Sequence, residues 1–204
     1  YIITGFMLIG GINFSMLYFI VKGVFHKVIS NEEFKTYLSI VLIFTIAIMG
    51  TLIVTTEHGL EKSFRYAVFQ VVTIVTTTGF STANYATWAP FAYMLIILLM
   101  FTGGSAGSTS GGLKILRHLI VLKNGYIEFK RLLHPRGVIP LRINRKSVEQ
   151  KTVYNILAFF IIYLFTLVCG ALVLTAFGHD ILTSVGASIA CLGNIGPGIG
   201  GVDP

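Results

Sequence analysis

Residues 63–81 read Ser63-Phe64-Arg65-Tyr66-Ala67-Val68-Phe69-Gln70-Val71-Val72-Thr73-Ile74-Val75-Thr76-Thr77-Thr78-Gly79-Phe80-Ser81. The first fourteen are apolar and helix-like. A helix of that length reaches only about 21 Å, short of the roughly 30 Å of a hydrocarbon core. The threonine-glycine run after it does not continue a helix. A short apolar helix that stops at a glycine is either a buried helix of a soluble protein or a segment that dips into a membrane and returns. The flanking sequence decides between them.

On the N-terminal side, residues 37–56 hold twenty positions without a charge, and further on residues 153–177 hold twenty-five. Each run is long enough to cross a bilayer as a helix. Of all residues, 54% are hydrophobic and 11% charged, against about 25% charged in an ordinary soluble domain. A soluble core would need polar flanking structure that is scarce here. The sequence therefore predicts an all-α, polytopic membrane protein. It starts at Tyr1 inside an apolar stretch and stops at Pro204 after a glycine-rich segment, so it is expected to continue on both sides. No charged n-region or cleavage site of a signal peptide is visible.

The net charge of +7 sorts by loop. Lys22, Lys27 and Lys35 precede the first uncharged run. Lys114, Arg117, Lys123, Lys130, Arg131, Arg136, Arg142, Arg145, Lys146 and Lys151 lie between the two long runs, and only Lys62 and Arg65 fall elsewhere. The positive-inside rule assigns 22–36 and 114–152 to the cytoplasm. No aromatic interleaving for base stacking marks the second loop, so nucleic acid is not an expected partner. If 63–76 crossed the membrane, the second basic loop would land outside. The segment is therefore read as re-entrant, with 57–62 and 82–90 external and 91–122 returning inward.

The pattern recurs. After 153–177 comes another short apolar helix, 181–192, and then Gly193-Asn194-Ile195-Gly196-Pro197-Gly198. A shift of 117 residues lays Gly79 on Gly196 and Ser63 on Asp180, two expected N-caps. This is a parallel repeat of span, re-entrant helix, glycine loop and span, whose second copy lacks its closing span. The expected organisation is a membrane helix ending a preceding repeat (1–21), a cytoplasmic linker (22–36), a repeat with a broken return helix (37–122), a basic cytoplasmic loop (123–152) and a second repeat (153–204).

A short helix followed by a glycine loop can make an ion filter. The helix C-terminus presents partial negative charge inside the membrane. The extended loop turns carbonyls toward a dehydrated cation. Neither loop carries Lys, Arg, Asp or Glu, which points to carbonyl coordination of a weakly hydrated monovalent cation. A glycine-rich turn without function is the alternative for either loop alone, and two loops at matched positions weigh against it.

Residues Thr76-Thr77-Thr78-Gly79-Phe80-Ser81-Thr82 and Gly193-Asn194-Ile195-Gly196-Pro197-Gly198 resemble the third and fourth filter segments of the Trk/Ktr/HKT superfamily of potassium transporters. The resemblance covers essentially the whole chain. It implies a pseudo-fourfold channel of four such repeats, here in part, with K⁺ as the transported ion bound at Thr77, Thr78, Gly79, Phe80, Asn194, Ile195, Gly196 and Pro197. It implies a non-enzymatic protein without a cofactor, multi-pass in the plasma membrane (the bacterial inner membrane) and in contact with lipid. A homodimer and a cytosolic nucleotide-binding regulatory subunit are the implied partners. A member passing Na⁺, or both K⁺ and Na⁺, fits the same fold. A non-conducting structural subunit and a membrane enzyme are the readings from other classes. No Ser/His/Asp or metal-ligand spacing supports the enzyme.

The stretch Gly103-Gly104-Ser105-Ala106-Gly107-Ser108-Thr109-Ser110-Gly111-Gly112 interrupts the return span and is followed by Leu113 and Lys114. Glycine and serine have poor helix propensity. Open backbone in hydrocarbon must face water or protein. The stretch is similar to the intramembrane loop of the superfamily, which implies a gate beneath the filter formed by residues 103–112 with Lys114. A phosphate-binding loop fits the glycine spacing at Gly107 and Gly112, but Leu113 stands where that motif needs lysine, which weighs against it. Lys114 and Arg117 either snorkel to lipid phosphates or line the inner vestibule, and His118 is expected at the interface. Glu57, His58 and Glu61 either raise cation concentration at the outer mouth or belong to an ordinary solvated loop. Cys169 and Cys191 read as packing residues.

Overall fold

The computed structural model describes residues 1–56, 59–134, 137 and 139–202. Its helices are α1 (Ile2–Gly10), α2 (Phe14–Val21), α3 (Phe25–Ile29), α4 (Glu32–Thr55), α5 (Leu60–Val75), α6 (Pro90–Met100), α7 (Ile115–Leu133), α8 (Gln150–Ala176) and α9 (Ile181–Gly193). A short 3-10 turn, Tyr85–Thr87, and a hairpin of two-residue strands, β1 (Arg142–Ile143) with β2 (Lys146–Ser147), complete the described elements. The protein is an all-α polytopic membrane protein. Among the described residues, α4 and α8 are each long and apolar enough to cross a bilayer.

Helix α4 starts earlier than its uncharged run. Asn31 accepts a hydrogen bond from the Phe34 N–H at 3.0 Å, and Glu32 and Glu33 fill the first turn. That is the chemistry a helix N-terminus favours. Leu38, Leu42, Ile43 and Ile46 of α4 and Ile161, Ile162, Phe165 and Leu172 of α8 are exposed. Apolar side chains facing outward suit a helix bordered by lipid or by further spans.

The single helix expected over 1–21 is two helices, α1 and α2, bent by 114° at the break between them. Packing explains the bend. Gly11 lies so close to α4 that a Cβ there would sit 2.5 Å from the Tyr37 hydroxyl oxygen. Asn13 then restarts the helix, its side chain accepting from the Ser15 N–H at 2.8 Å.

Helix α5 runs sixteen residues, about 24 Å and still short of a span. Its N-cap is Gly59, which makes no side-chain cap bond. The expected cap, Ser63, is fully buried inside the helix, its N–H already bonded to the Gly59 carbonyl at 3.0 Å. Leu60, Glu61 and Lys62 extend the helix, so the first turn forms before Ser63 is reached. Asp180 does cap α9, accepting from the Thr183 N–H at 3.0 Å.

Helix α7 runs on through residue 133, so the first part of the basic stretch 123–152 is helix rather than loop. The hairpin follows, its turn made by Asn144 and Arg145 with φ of 49° and 65°. Two left-handed residues in succession match the twist of a two-residue hairpin. Leu141, Ile143, Ile120 and Val153 pack into a small core that ties the hairpin to α7 and α8. The main core joins Ile48 and Leu52 of α4, Val71, Val72 and Ile74 of α5, Leu99 and Met100 of α6 and Ile189 of α9. The short helices α5 and α9 are thereby held in the interior.

Candidate functional site

Helices α5 and α9 end in the same way. The Thr77 N–H bonds to the Ile74 carbonyl at 3.0 Å, and the Thr78 N–H reaches back to Thr73 at 2.9 Å. In α9 the Asn194 N–H bonds to Cys191 at 3.1 Å and the Ile195 N–H to Ala190 at 3.0 Å. Each pair is a Schellman turn, which needs one left-handed residue just past the helix. Thr77 and Asn194 supply it, with φ of 53° and 54°. Asparagine adopts that conformation readily, whereas a β-branched threonine does so at a steric cost. Two residues later, Gly79 and Gly196 have φ of 82° and 104°.

The two loops run side by side. A Cβ on Gly79 would lie 2.4 Å from the Ile195 carbonyl oxygen, and one on Gly196 would lie 3.5 Å from the Gly79 Cα. The Ile195 side chain is buried and anchors its loop, while Phe80 is exposed. Further out, the Tyr85 hydroxyl donates to the Gly198 carbonyl, and the Gly200 N–H donates to the Tyr93 hydroxyl at 3.0 Å. Residues of the first unit therefore hold the second loop in place. Among the described residues no group of three His, Cys, Asp or Glu side chains is gathered. The ligands this site can offer an ion are backbone carbonyls and hydroxyls, aided by the negative ends of two helices.

Residues 103–112 lie directly against both helix ends. The Gly111 N–H donates to the Thr77 hydroxyl oxygen at 2.7 Å, and a Cβ on Gly111 would sit 2.8 Å from the Asn194 Cβ. Inside the loop, the Gly104 N–H donates to Ser110 Oγ at 2.8 Å, and the Ser108 and Ser110 hydroxyls bond each other at 2.8 Å. The Gly103 N–H donates to Leu113 at 2.7 Å, and the Ile115 N–H to Gly104 at 3.1 Å. The loop is also tied to the α1–α2 break. Ser105 donates its N–H to Gly11 at 2.9 Å, Thr109 donates its hydroxyl to Gly10 at 3.0 Å, and the Phe14 N–H donates to Gly107 at 3.1 Å. Much of its polar backbone is thus bonded to protein, which is what non-helical chain needs away from water.

Lys114 folds back on the loop, its ammonium donating to the Ser110 carbonyl. The Arg117 guanidinium carbon lies 3.9 Å from the centre of the Phe159 ring on α8. His118 packs edge-on against Phe160 with ring centres 5.3 Å apart. Glu61 accepts a hydrogen bond from the Tyr1 hydroxyl at 2.7 Å. Glu57 and His58 lie outside the described residues.

Several residues that sequence reasoning passed over also reach the loop. Glu33, only 6% exposed, accepts the Ala106 N–H, and the Asn13 amide donates to the Ala106 carbonyl. Asn13 had a signal, since an asparagine before an apolar run marks a helix start. The inward turn of Glu33 had none, because Glu32 beside it is as good a first-turn residue.

Residues 1–203 match the TrkH family profile, described as a cation transport protein. The chain is 33% identical over 203 residues to the Trk system potassium uptake protein TrkH of Escherichia coli K12, covering 98% of this chain and 42% of that protein. It is 36% identical over 201 residues to the TrkH of Vibrio parahaemolyticus, covering 97% and 41%. The crystal structure of the potassium transporter TrkH from Vibrio parahaemolyticus superposes with a TM-score of 0.90 at 33% identity, covering 98% of this chain and 43% of that one. The chain thus spans about two fifths of the length of these relatives.

Proposed function

The chain belongs to the TrkH family of cation transport proteins, and on that premise we propose that it is part of the pore of a potassium-uptake channel or transporter. One observation carries the reading. Two short helices end in the same Schellman turn, and their glycine loops meet side by side, with Gly79 against the Ile195 carbonyl. In this reading the carbonyls of 77–80 and 194–197 replace part of the ion's water shell. The remaining ligands come from further repeats of the same kind. The helix ends stabilise the cation electrostatically, and no covalent chemistry is involved.

Residues 103–112 with Lys114 form the gate in this proposal. They lie against Thr77 and Asn194, where a closed loop blocks the path sterically without a charge. The relatives are named as Trk system proteins. The proposed assembly is a homodimer in the bacterial inner membrane, bordered by lipid, with a cytosolic nucleotide-binding regulatory subunit beneath it. Transport in the full-length protein tests the reading. In liposomes it should pass K⁺ in preference to Na⁺, and deleting part of 104–111 should raise the flux and weaken its dependence on the regulatory subunit. Equal K⁺ and Na⁺ flux would favour the co-permeating alternative. No flux of either ion would leave a structural subunit as the better reading.

A further inference from the structure

Adjacent residues on a helix point about 100° apart. At the head of α4 this sends Glu33 inward and leaves Glu32 at the surface. Glu33 accepts the N–H of Ala106 in the Gly/Ser loop. Glu32 forms an ion pair with Lys123 of α7, whose ammonium also donates to the Arg142 carbonyl at 3.0 Å. The Glu32 N–H itself donates to the Asn144 side-chain oxygen at 2.7 Å. The hairpin 142–147 is thus fastened to one residue of α4, and the loop to the next.

We infer that Glu32 and Glu33 form a two-sided clamp, through which the position of the basic hairpin on the inner face sets how firmly residues 103–112 are held shut. The inference rests on the reading of those residues as a gate. Three features support it. A buried carboxylate is costly unless a specific partner satisfies it, and a neutral residue would pack this site more cheaply. Ala106 is gripped from both sides, by Glu33 on its N–H and by Asn13 on its carbonyl, and Glu33 is the tie that links this part of the loop to α4, beside those to the α1–α2 break. The hairpin turn is made of two left-handed residues and fits a single tight geometry, so it has little slack to absorb a displacement. Glu33 is a positioning residue here: it touches the loop, not the ion.

The test uses the full-length protein in liposomes, with K⁺ flux as the readout. Glu33→Ala should raise flux about 10-fold, the scale expected for losing one charge-assisted hydrogen bond in a two-state loop. Glu33→Gln keeps an acceptor oxygen and should restore most of the occlusion. Lys123→Met combined with Asn144→Ala frees the hairpin and should raise flux in the same direction. None of the three should add flux to a protein already lacking part of 104–111. If the loop deletion raises flux while Glu33→Ala and the hairpin variant do not, the clamp is wrong and the gate stands. If the loop deletion itself leaves flux unchanged, the gate reading has failed. Should Glu33→Ala not reach the membrane, the hairpin variant decides the coupling alone.

Discussion

Thr77 and Asn194, 117 positions apart, hold the same left-handed backbone, with φ of 53° and 54°. Each stands at the same point of a Schellman turn at the end of a buried short helix. Only one of them is a residue type at ease there. The threonine has a second task, since its hydroxyl oxygen takes the Gly111 N–H at 2.7 Å.

This predicts opposite outcomes for two substitutions of Thr77. Thr77→Ser keeps the hydroxyl and should behave like the parent. Thr77→Val keeps the β-branch in a left-handed backbone, loses the acceptor and strands the Gly111 N–H. It should lower stability by about 1–3 kcal/mol, read as an earlier thermal midpoint in detergent.

The two loop glycines, Gly79 and Gly196, should differ in sensitivity. Both have positive φ, so any side chain is strained at either position. At Gly79 a Cβ also collides with the Ile195 carbonyl at 2.4 Å, whereas at Gly196 it meets only the Gly79 Cα at 3.5 Å. Gly79→Ala is expected to abolish K⁺/Na⁺ discrimination, and Gly196→Ala to weaken it. Ion-replacement flux measurements give the ranking, and equal tolerance at both sites would remove the filter assignment.

Asp180 caps α9, and its carboxyl is held below the ordinary carboxylate range by hydrogen bonds from Thr183, the hydroxyl first and then the N–H. A depressed folded pKa makes the carboxylate a stabilising group above the ordinary range. That contribution disappears as pH falls through the lowered folded value. Acid should therefore narrow the stability gap between the parent and Asp180→Ala. Asp180→Asn, which still caps, should stay close to the parent at neutral pH. Thermal melts across acidic pH measure both.

Topology is open to direct test. Single cysteines at Ala86 and Ser147, both exposed, should react with a membrane-impermeant reagent from opposite sides. Ala86→Cys should label in intact cells and Ser147→Cys only after permeabilisation. Labelling of both from outside would contradict the re-entrant reading of α5.

The gap between the expected and observed starts of α5 shows where local signals fail. Serine at 63 has the cap chemistry, yet the helix begins at Leu60 behind a glycine that makes no side-chain bond. Ser63, Ala67 and Phe69–Val75 are buried while Leu60, Glu61 and Lys62 are exposed, so Ser63 is drawn into the core rather than left at the helix end. In α9 the cap is exposed and local, and there the sequence reading of Asp180 agrees with the structure.

What the sequence determined by itself follows from periodic and compositional terms. Uncharged runs of twenty and twenty-five residues decide membrane helices, because burying charge in hydrocarbon is expensive wherever the chain folds. The glycines at 79 and 196 mark the turns, because a left-handed backbone excludes most side chains whatever the surroundings. The tertiary structure alone decided the break between α1 and α2, the inward turn of Glu33 and the seating of 103–112 against Thr77 and Asn194. Each of these joins residues far apart in the chain: Gly11 to Tyr37 and Ser105, Glu33 to Ala106, Gly111 to Thr77 and Asn194. Such contacts depend on how helices pack against one another, and no local pattern of residues encodes that.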